Sequence, residues 1–273
     1  MTEHTNNHAQ PIRWSIVAVI ALFTILGVLG PKLLWTLKGY QQTVWSWPVD
    51  AQYMIHPVMR MVLVAIGTII VLKMSKGTPR PTPRPSMGLA IGWPRATKGF
   101  LLGFVCTLPM LFLGFICRTA SPSHYEVLYT AISPGLTEEI FYRAFMFGLL
   151  VQAARVPMWP AAIITAIIFG LAHIDITPDA GQTILGQLNA WNAMIAVGGL
   201  MFAWLYVLSR WNLWLVIALH IGMNLWWDMF DLTDTPFGAV GATLARIIPI
   251  GLAVMFVMGA SSQRTGDTST IPA

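Results

Sequence analysis

The sequence predicts an all-α, polytopic integral membrane protein, with about eight transmembrane helices around a polar intramembrane cavity. Composition is the first ground. Of 273 residues, 56% are hydrophobic and 10% are charged, whereas soluble domains carry roughly a quarter charged residues. Patterning is the second: apolar runs of helix length follow one another with short polar breaks, and the mean hydropathy is +0.65. The third is an exception to both. Adjacent carboxylates, Glu138 and Glu139, interrupt one apolar stretch, and His173 and the pair His220 and Asn224 interrupt two others. Ionisable groups at membrane depth are costly and mostly functional, so these three islands mark the cavity.

The amino terminus is polar to Gln10, and an apolar run begins at Trp14. No small-x-small cleavage site precedes Pro31, so the run reads as an uncleaved signal anchor. The candidate spans are 14–34, 52–72, 99–117, 135–152, 160–173, 189–208, 212–227 and 238–259. The first three, the sixth and the eighth approach the roughly 20 residues a crossing needs. The fourth, fifth and seventh are short, as spans beside a polar cavity are allowed to be, and the three islands fall on them.

The expected organisation is a polar tail 1–13, two N-terminal transmembrane helices 14–72, a basic Pro-rich cytoplasmic linker 73–98, a helical catalytic core 99–260 and a disordered tail 261–273. The linker core, Thr78 to Pro85, alternates proline with Thr and Arg and reads as an extended polyproline spacer. Cys106 and Cys117 share one expected span at about 16 Å, too far apart for a disulfide.

Lys and Arg set the orientation. With the amino terminus in the cytoplasm, Arg13, Lys73, Lys76, Arg80, Arg84, Arg95, Lys98, Arg155, Arg210 and Arg264 fall inside, and only Lys32, Lys38 and Arg118 fall outside. Asp50, Glu126, Asp175, Asp179, Asp228, Asp231 and Asp234 then lie toward the outer face. The net charge of +5 is thereby a topology signal, not a nucleic-acid surface. The expected setting is the plasma or inner membrane. The expected partners are the lipid bilayer and a protein or peptide substrate, with no nucleic acid. Trp35, Trp93, Trp211 and Trp226 sit near span ends, as an aromatic belt does. Arg60 and Arg246 lie inside spans two and eight, where a cation costs about 2.5–3.5 kcal/mol, so each is expected to snorkel or pair with a neighbour. Asp228, Asp231 and Asp234 read as a solvated acidic loop, since their spacing lacks the rest of a calcium motif.

Helical spacing gives the islands their chemistry. Glu139 and Arg143 stand at i and i+4 with the acid first, the better order for an ion pair. Glu138 is rotated about 100° away. One carboxylate can therefore be a fixed structural partner while the other serves as a general base acting on water. Pro134-Gly135 is expected to break any preceding helix and leave Glu138 in a first turn, whose free N–H groups favour negative charge. Phe169 and His173 share a face, as do His220 and Asn224. Asn can orient an imidazole or donate to a developing oxyanion. A lone His in apolar sequence reads as a satisfied core residue. However, alternating spans carry all three islands to the same side, at similar depth. One acid, two imidazoles and one amide are the inventory for activating water and stabilising a tetrahedral intermediate.

The ordered set Glu138-Glu139-x-x-x-Arg143, Phe169-x-x-x-His173 and His220-x-x-x-Asn224 resembles the CPBP family. This is the CAAX protease and bacteriocin-processing (Abi) group of glutamic-type intramembrane proteases, related to the type II CAAX prenyl endopeptidases. The resemblance covers roughly residues 135–227, with no departure inside the motifs. It implies an intramembrane endopeptidase without cofactor or metal, in which Glu138 activates the hydrolytic water with help from His173. His220 and Asn224 would form the oxyanion site, Glu139 and Arg143 would brace the helix, and Phe169 would shape the pocket. Prenyl-protein processing serves cytoplasmic substrates, whereas the charge count puts this cavity in the outer half of the membrane. A membrane-anchored, lipidated or exported substrate fits that placement. Two other classes stay open: a zinc-dependent membrane protease using two His and one Glu, and a non-catalytic binding, immunity or transport protein built on the same cavity.

Overall fold

A computed structural model describes residues 11–76, 87–117, 128–174, 188, 190–232 and 237–266, and among them every regular element is helical. The helices are α1 (Trp14–Trp35), α2 (Lys38–Trp45), α3 (Val49–Met74), α4 (Trp93–Val105), α5 (Leu108–Cys117), α6 (128–152), α7 (Met158–Ala172), α8 (Ala190–Leu208), α9 (Leu213–Phe230) and α10 (Gly238–Gly266). Each expected span falls on helix. Five stretches are long and apolar enough to cross a bilayer: Trp14–Trp35, Ala51–Met74, Trp93–Ile116, Leu213–Phe230 and Val240–Ala260. Met158–Ala172 and Asn192–Leu208 are shorter apolar helices. Large apolar side chains such as Ile25, Ile69, Phe115, Ile167 and Met255 point outward, the inverse of a water-soluble surface. The chain is a multi-pass membrane protein.

The helix ends fall into two sets. At one end, the Arg13 amide donates to the Ala154 carbonyl at 2.9 Å and the Arg13 guanidinium to the Met74 carbonyl at 2.7 Å. These bonds join the start of α1 to the ends of α3 and α6. At the same end, Phe147 of α6 stacks on Trp211, just before α9, at 5.8 Å. Arg95 of α4 donates to the Arg210 carbonyl at 2.6 Å. This is the basic end. At the opposite end, Lys32 donates to the Ile174 carbonyl, and Tyr53 of α3 stacks on Tyr129 of α6 at 5.5 Å.

The core forms around α6 and α9. Residues 141–150 of α6 are all buried, as a helix apolar nearly all round must be, with Arg143 the one charged residue among them. α9 lies directly on α4. A Cβ at Gly103 would collide with the Leu215 carbonyl of α9 and come within 3.1 Å of the Leu219 nitrogen, so the missing side chain is what permits that approach.

Several expectations need correction. α6 does not begin after Pro134. It runs unbroken from residue 128, and its first turn, Leu128–Ile132, is π-wound. That wider turn bonds each amide five residues back, and the helix passes over a proline that has no amide to give. Glu138 therefore sits well inside a helix rather than in its first turn. The single helix expected at 99–117 is broken at Cys106-Thr107, just before Pro109. α4 already begins at Trp93, inside the expected linker, after Gly92 turns with φ +82° and Pro94 enters the first turn. α10 continues to Gly266, beyond the expected start of the tail. The short α2 was not foreseen. The linker core 78–85, Arg118, Glu126, Asp175, Asp179, Asp234 and the tail beyond Gly266 lie outside the described residues, as do the side chains of Asp50, Cys117 and Arg264.

Candidate functional site

The site is built where α6 crosses α9 in the antiparallel sense. Gly135 of α6 makes the crossing possible: a Cβ there would stand 2.9 Å from the Ile221 backbone nitrogen. The residue before Ile221 is His220, so this contact fixes which face of α9 meets the glutamates. Glu139 is wholly buried (0% exposed) and Arg143 nearly so (3%). One Glu139 oxygen, Oε1, accepts a hydrogen bond from His220 Nδ1 at 2.7 Å. The other, Oε2, lies 3.1 Å from Arg143 Nε. That approach is an ion pair whose angle is too poor for a hydrogen bond. The Arg143 guanidinium stands over two rings, Phe169 at 4.5 Å and Phe202 of α8 at 5.4 Å, where ring quadrupoles attract a cation. The residues 139–148 are π-wound, a geometry frequent at functional sites.

The second imidazole is held differently. His173 caps the end of α7, and its Nδ1 lies 2.8 Å from the Phe169 carbonyl. That carbonyl is one of the acceptors a helix end leaves unpaired. Phe169 packs edge-on to His173 at 4.8 Å and to Tyr142 at 4.8 Å, so it links His173 to the Glu139–Arg143 cluster. Both imidazoles thus face an acceptor with Nδ1. A carboxylate and a carbonyl only accept, so Nδ1 carries the proton in each ring and Nε2 is left for other work.

Glu138 is half-buried. Among the described residues its carboxylate makes no hydrogen bond and no ion pair. It lies within electrostatic reach of the Tyr142 hydroxyl, as do Arg60 and Arg143. Asn224 is half-buried, and its amide donates to the Thr130 carbonyl at 3.4 Å, across the α6–α9 seam. Asp228, one turn further along α9, accepts from the Thr130 side chain.

The predicted residues are therefore gathered unevenly. Glu139, Arg143, His220 and Phe169 form one contiguous cluster, with His173 attached through Phe169. Among the described residues no hydrogen bond joins Glu138 to His173, or His220 to Asn224. The Glu139–His220 bond was missed, because helical spacing within one element says nothing about a partner on another. Tyr142, Phe202 and Thr130 were missed for the same reason. Arg60 finds a neighbour, as expected: its Nε donates to the Gly27 carbonyl at 3.1 Å. The register of α3 on α6 sets its height. Tyr53 pairs with Tyr129, and Gly67 backs onto Phe145 with 2.9 Å for a Cβ, so Arg60, midway between, stands level with the glutamates. Arg246 instead lies over the Trp227 ring at 3.3 Å. Among the described residues, no three His, Cys, Asp or Glu side chains are grouped as a metal site requires.

Comparison with known proteins adds one finding. Residues 120–226 match the model of a family described as Type II CAAX prenyl endopeptidase Rce1-like, consistent with the resemblance to the CAAX protease and CPBP group. The matched stretch contains Glu138, Glu139, Arg143, Phe169, His173, His220 and Asn224 and leaves out α1 to α5. No curated protein and no solved structure matches the chain significantly. The family match implies a membrane protease, a hydrolase of peptide bonds.

Proposed function

We propose that the protein is a glutamic-type intramembrane endopeptidase, cutting a membrane-anchored, lipidated or exported protein near the membrane surface. The single observation that carries this reading is the contrast at Glu138 and Glu139. Glu139 has both oxygens committed, while its neighbour keeps its own free of described partners beside the same cluster. A carboxylate with unengaged oxygens is the group able to take a proton from water.

In this reading Glu138 accepts a proton as the water oxygen attacks the peptide carbonyl carbon. The carbonyl electron pair moves onto its oxygen. Nε2 of His220 and the amide of Asn224 donate to that oxyanion. Because His220 already gives its Nδ1 proton to Glu139, it donates from Nε2 only as an imidazolium. The Glu139 carboxylate then balances that charge, and the shared Arg143 keeps the carboxylate in place. On collapse the C–N bond breaks, and the proton on Glu138 passes to the leaving amine. His173, whose Nε2 has no partner among the described residues, assists the water at the outset. Arg60 adds a positive charge at the same level from outside the family segment.

The test compares the membrane proteomes of cells carrying the wild-type or the Glu138→Ala protein. Proteins whose termini change with the wild type alone support hydrolysis. A cellular phenotype that survives Glu138→Ala with no altered terminus points to binding without cleavage. Reporter fusions after Lys98 and after Asp175 fix sidedness, with the first expected in the cytoplasm and the second outside.

A further inference from the structure

The cleft at the basic end, lined by none of the predicted site residues, holds a different chemistry. It lies between α4, α9, α10 and the end of α8, with a cavity volume of about 150 Å³. Arg95, Lys98 and Arg210 line its rim, while Leu102, Leu208 and Phe256 are among the apolar side chains of its wall. We propose that this cleft binds the headgroup of an anionic phospholipid, with an acyl chain lying along the apolar wall.

Three observations support the assignment. The rim is built rather than incidental. Arg95 donates to the Arg210 carbonyl at 2.6 Å and the Ser209 carbonyl at 3.3 Å, and the Asn212 amide donates to the Arg95 carbonyl at 3.1 Å. Arg210 and Trp211 both take left-handed backbone angles, φ 59° and 63°, which non-glycine residues adopt at a cost. The Trp211 ring is pinned by Tyr206 at 5.1 Å and Phe147 at 5.8 Å, so Arg210 is held where it stands.

The second observation is charge. Lys98 and Arg210 are exposed, and among the described residues their side chains make no hydrogen bond and no ion pair. Among the described residues, counter-charges are scarce at this end. Of the acids whose side chains are described, Glu138 and Glu139 belong to the site, and Asp228 and Asp231 close α9 at the opposite end. Among the described residues, no carboxylate pairs with Lys98 or Arg210.

The third is the junction of cations with an apolar wall that descends between transmembrane helices. A free phosphate or a nucleic acid would use the rim and leave the wall bare. A phospholipid uses both, and basic pockets between membrane helices are where anionic headgroups bind.

The experiment measures retention of phosphatidylglycerol by the full-length protein with native mass spectrometry, against phosphatidylcholine and with inorganic phosphate as competitor. The proposal expects phosphatidylglycerol to be held in preference to phosphatidylcholine. Lys98→Gln and Arg210→Gln should each weaken binding by about fivefold, the contribution of one cation near an anionic headgroup. Lys73→Gln/Lys76→Gln, at the same end but outside the cleft, should weaken it much less. Equal retention of the two lipids overturns the site. So does an equal loss in the control pair, which would mean diffuse surface attraction. Displacement by inorganic phosphate alone makes it a phosphate site and not a lipid site. If Arg210→Gln lowers the melting temperature, the exposed Lys98→Gln still decides the matter.

Discussion

The seam around Glu139 and the open side around Glu138 are one residue apart in sequence and opposite in physics. The seam is largely buried, and every charge in it has a partner on another side chain: Glu139 with His220 and Arg143, Arg143 with two rings. The open side has a half-buried carboxylate without a described partner and an imidazole whose hydrogen bond and ring contact, among the described residues, are with its own helix. In the proposed reading, the difference makes the Glu-Glu pair a division of labour. One carboxylate fixes α6 to α9, and the other is left in a state that suits reaction.

Each half of that contrast can be broken separately. The largest stability effect belongs to the seam. Glu139→Ala strands Arg143 in a buried site, and removing one member of a buried pair costs about 3–5 kcal/mol. A fall in melting temperature in detergent checks this, and a second substitution, Arg143→Met, should recover part of it. Asn224→Ala should lower kcat by about 10²–10³, the usual effect of losing one oxyanion donor, while the melting temperature falls only slightly, because the bond lost to the Thr130 carbonyl is long at 3.4 Å. Smaller again is Gly135→Ala. Its Cβ would press on Ile221 and part the helices, at about 1–3 kcal/mol as overpacking does, with some loss of rate because His220 moves with Ile221. Arg60→Gln should be smallest in stability, since one carbonyl contact is lost, and should be read as a change in KM against kcat with peptides that differ in charge near the cut.

Much of the fold was legible because hydropathy and helical period are local properties. The expected spans fall on helices, and the Glu139–Arg143 pair follows from i and i+4 spacing alone. What was illegible depends on neighbours. α2 is short and mixes polar with aromatic residues, so it lacks the apolar run that marks a span. Pro134 reads as a helix start unless one knows that the turn before it is π-wound. The break before Pro109 was visible as a proline inside a span, yet Pro31, Pro57 and Pro249 all sit inside unbroken helices, so proline alone does not decide. The Glu139–His220 bond required the contact at Gly135, and no spacing within either helix encodes it. The site residues themselves were legible as polar exceptions in an apolar chain, but not the division between the two carboxylates.

The most direct measurement sets Glu138→Gln beside Glu139→Gln, reading cleavage of a membrane-anchored reporter and melting temperature from the same preparations. The division of labour predicts that Glu138→Gln abolishes cleavage and leaves melting unchanged, whereas Glu139→Gln lowers the melting temperature. Full cleavage by the Glu138→Gln protein would contradict it.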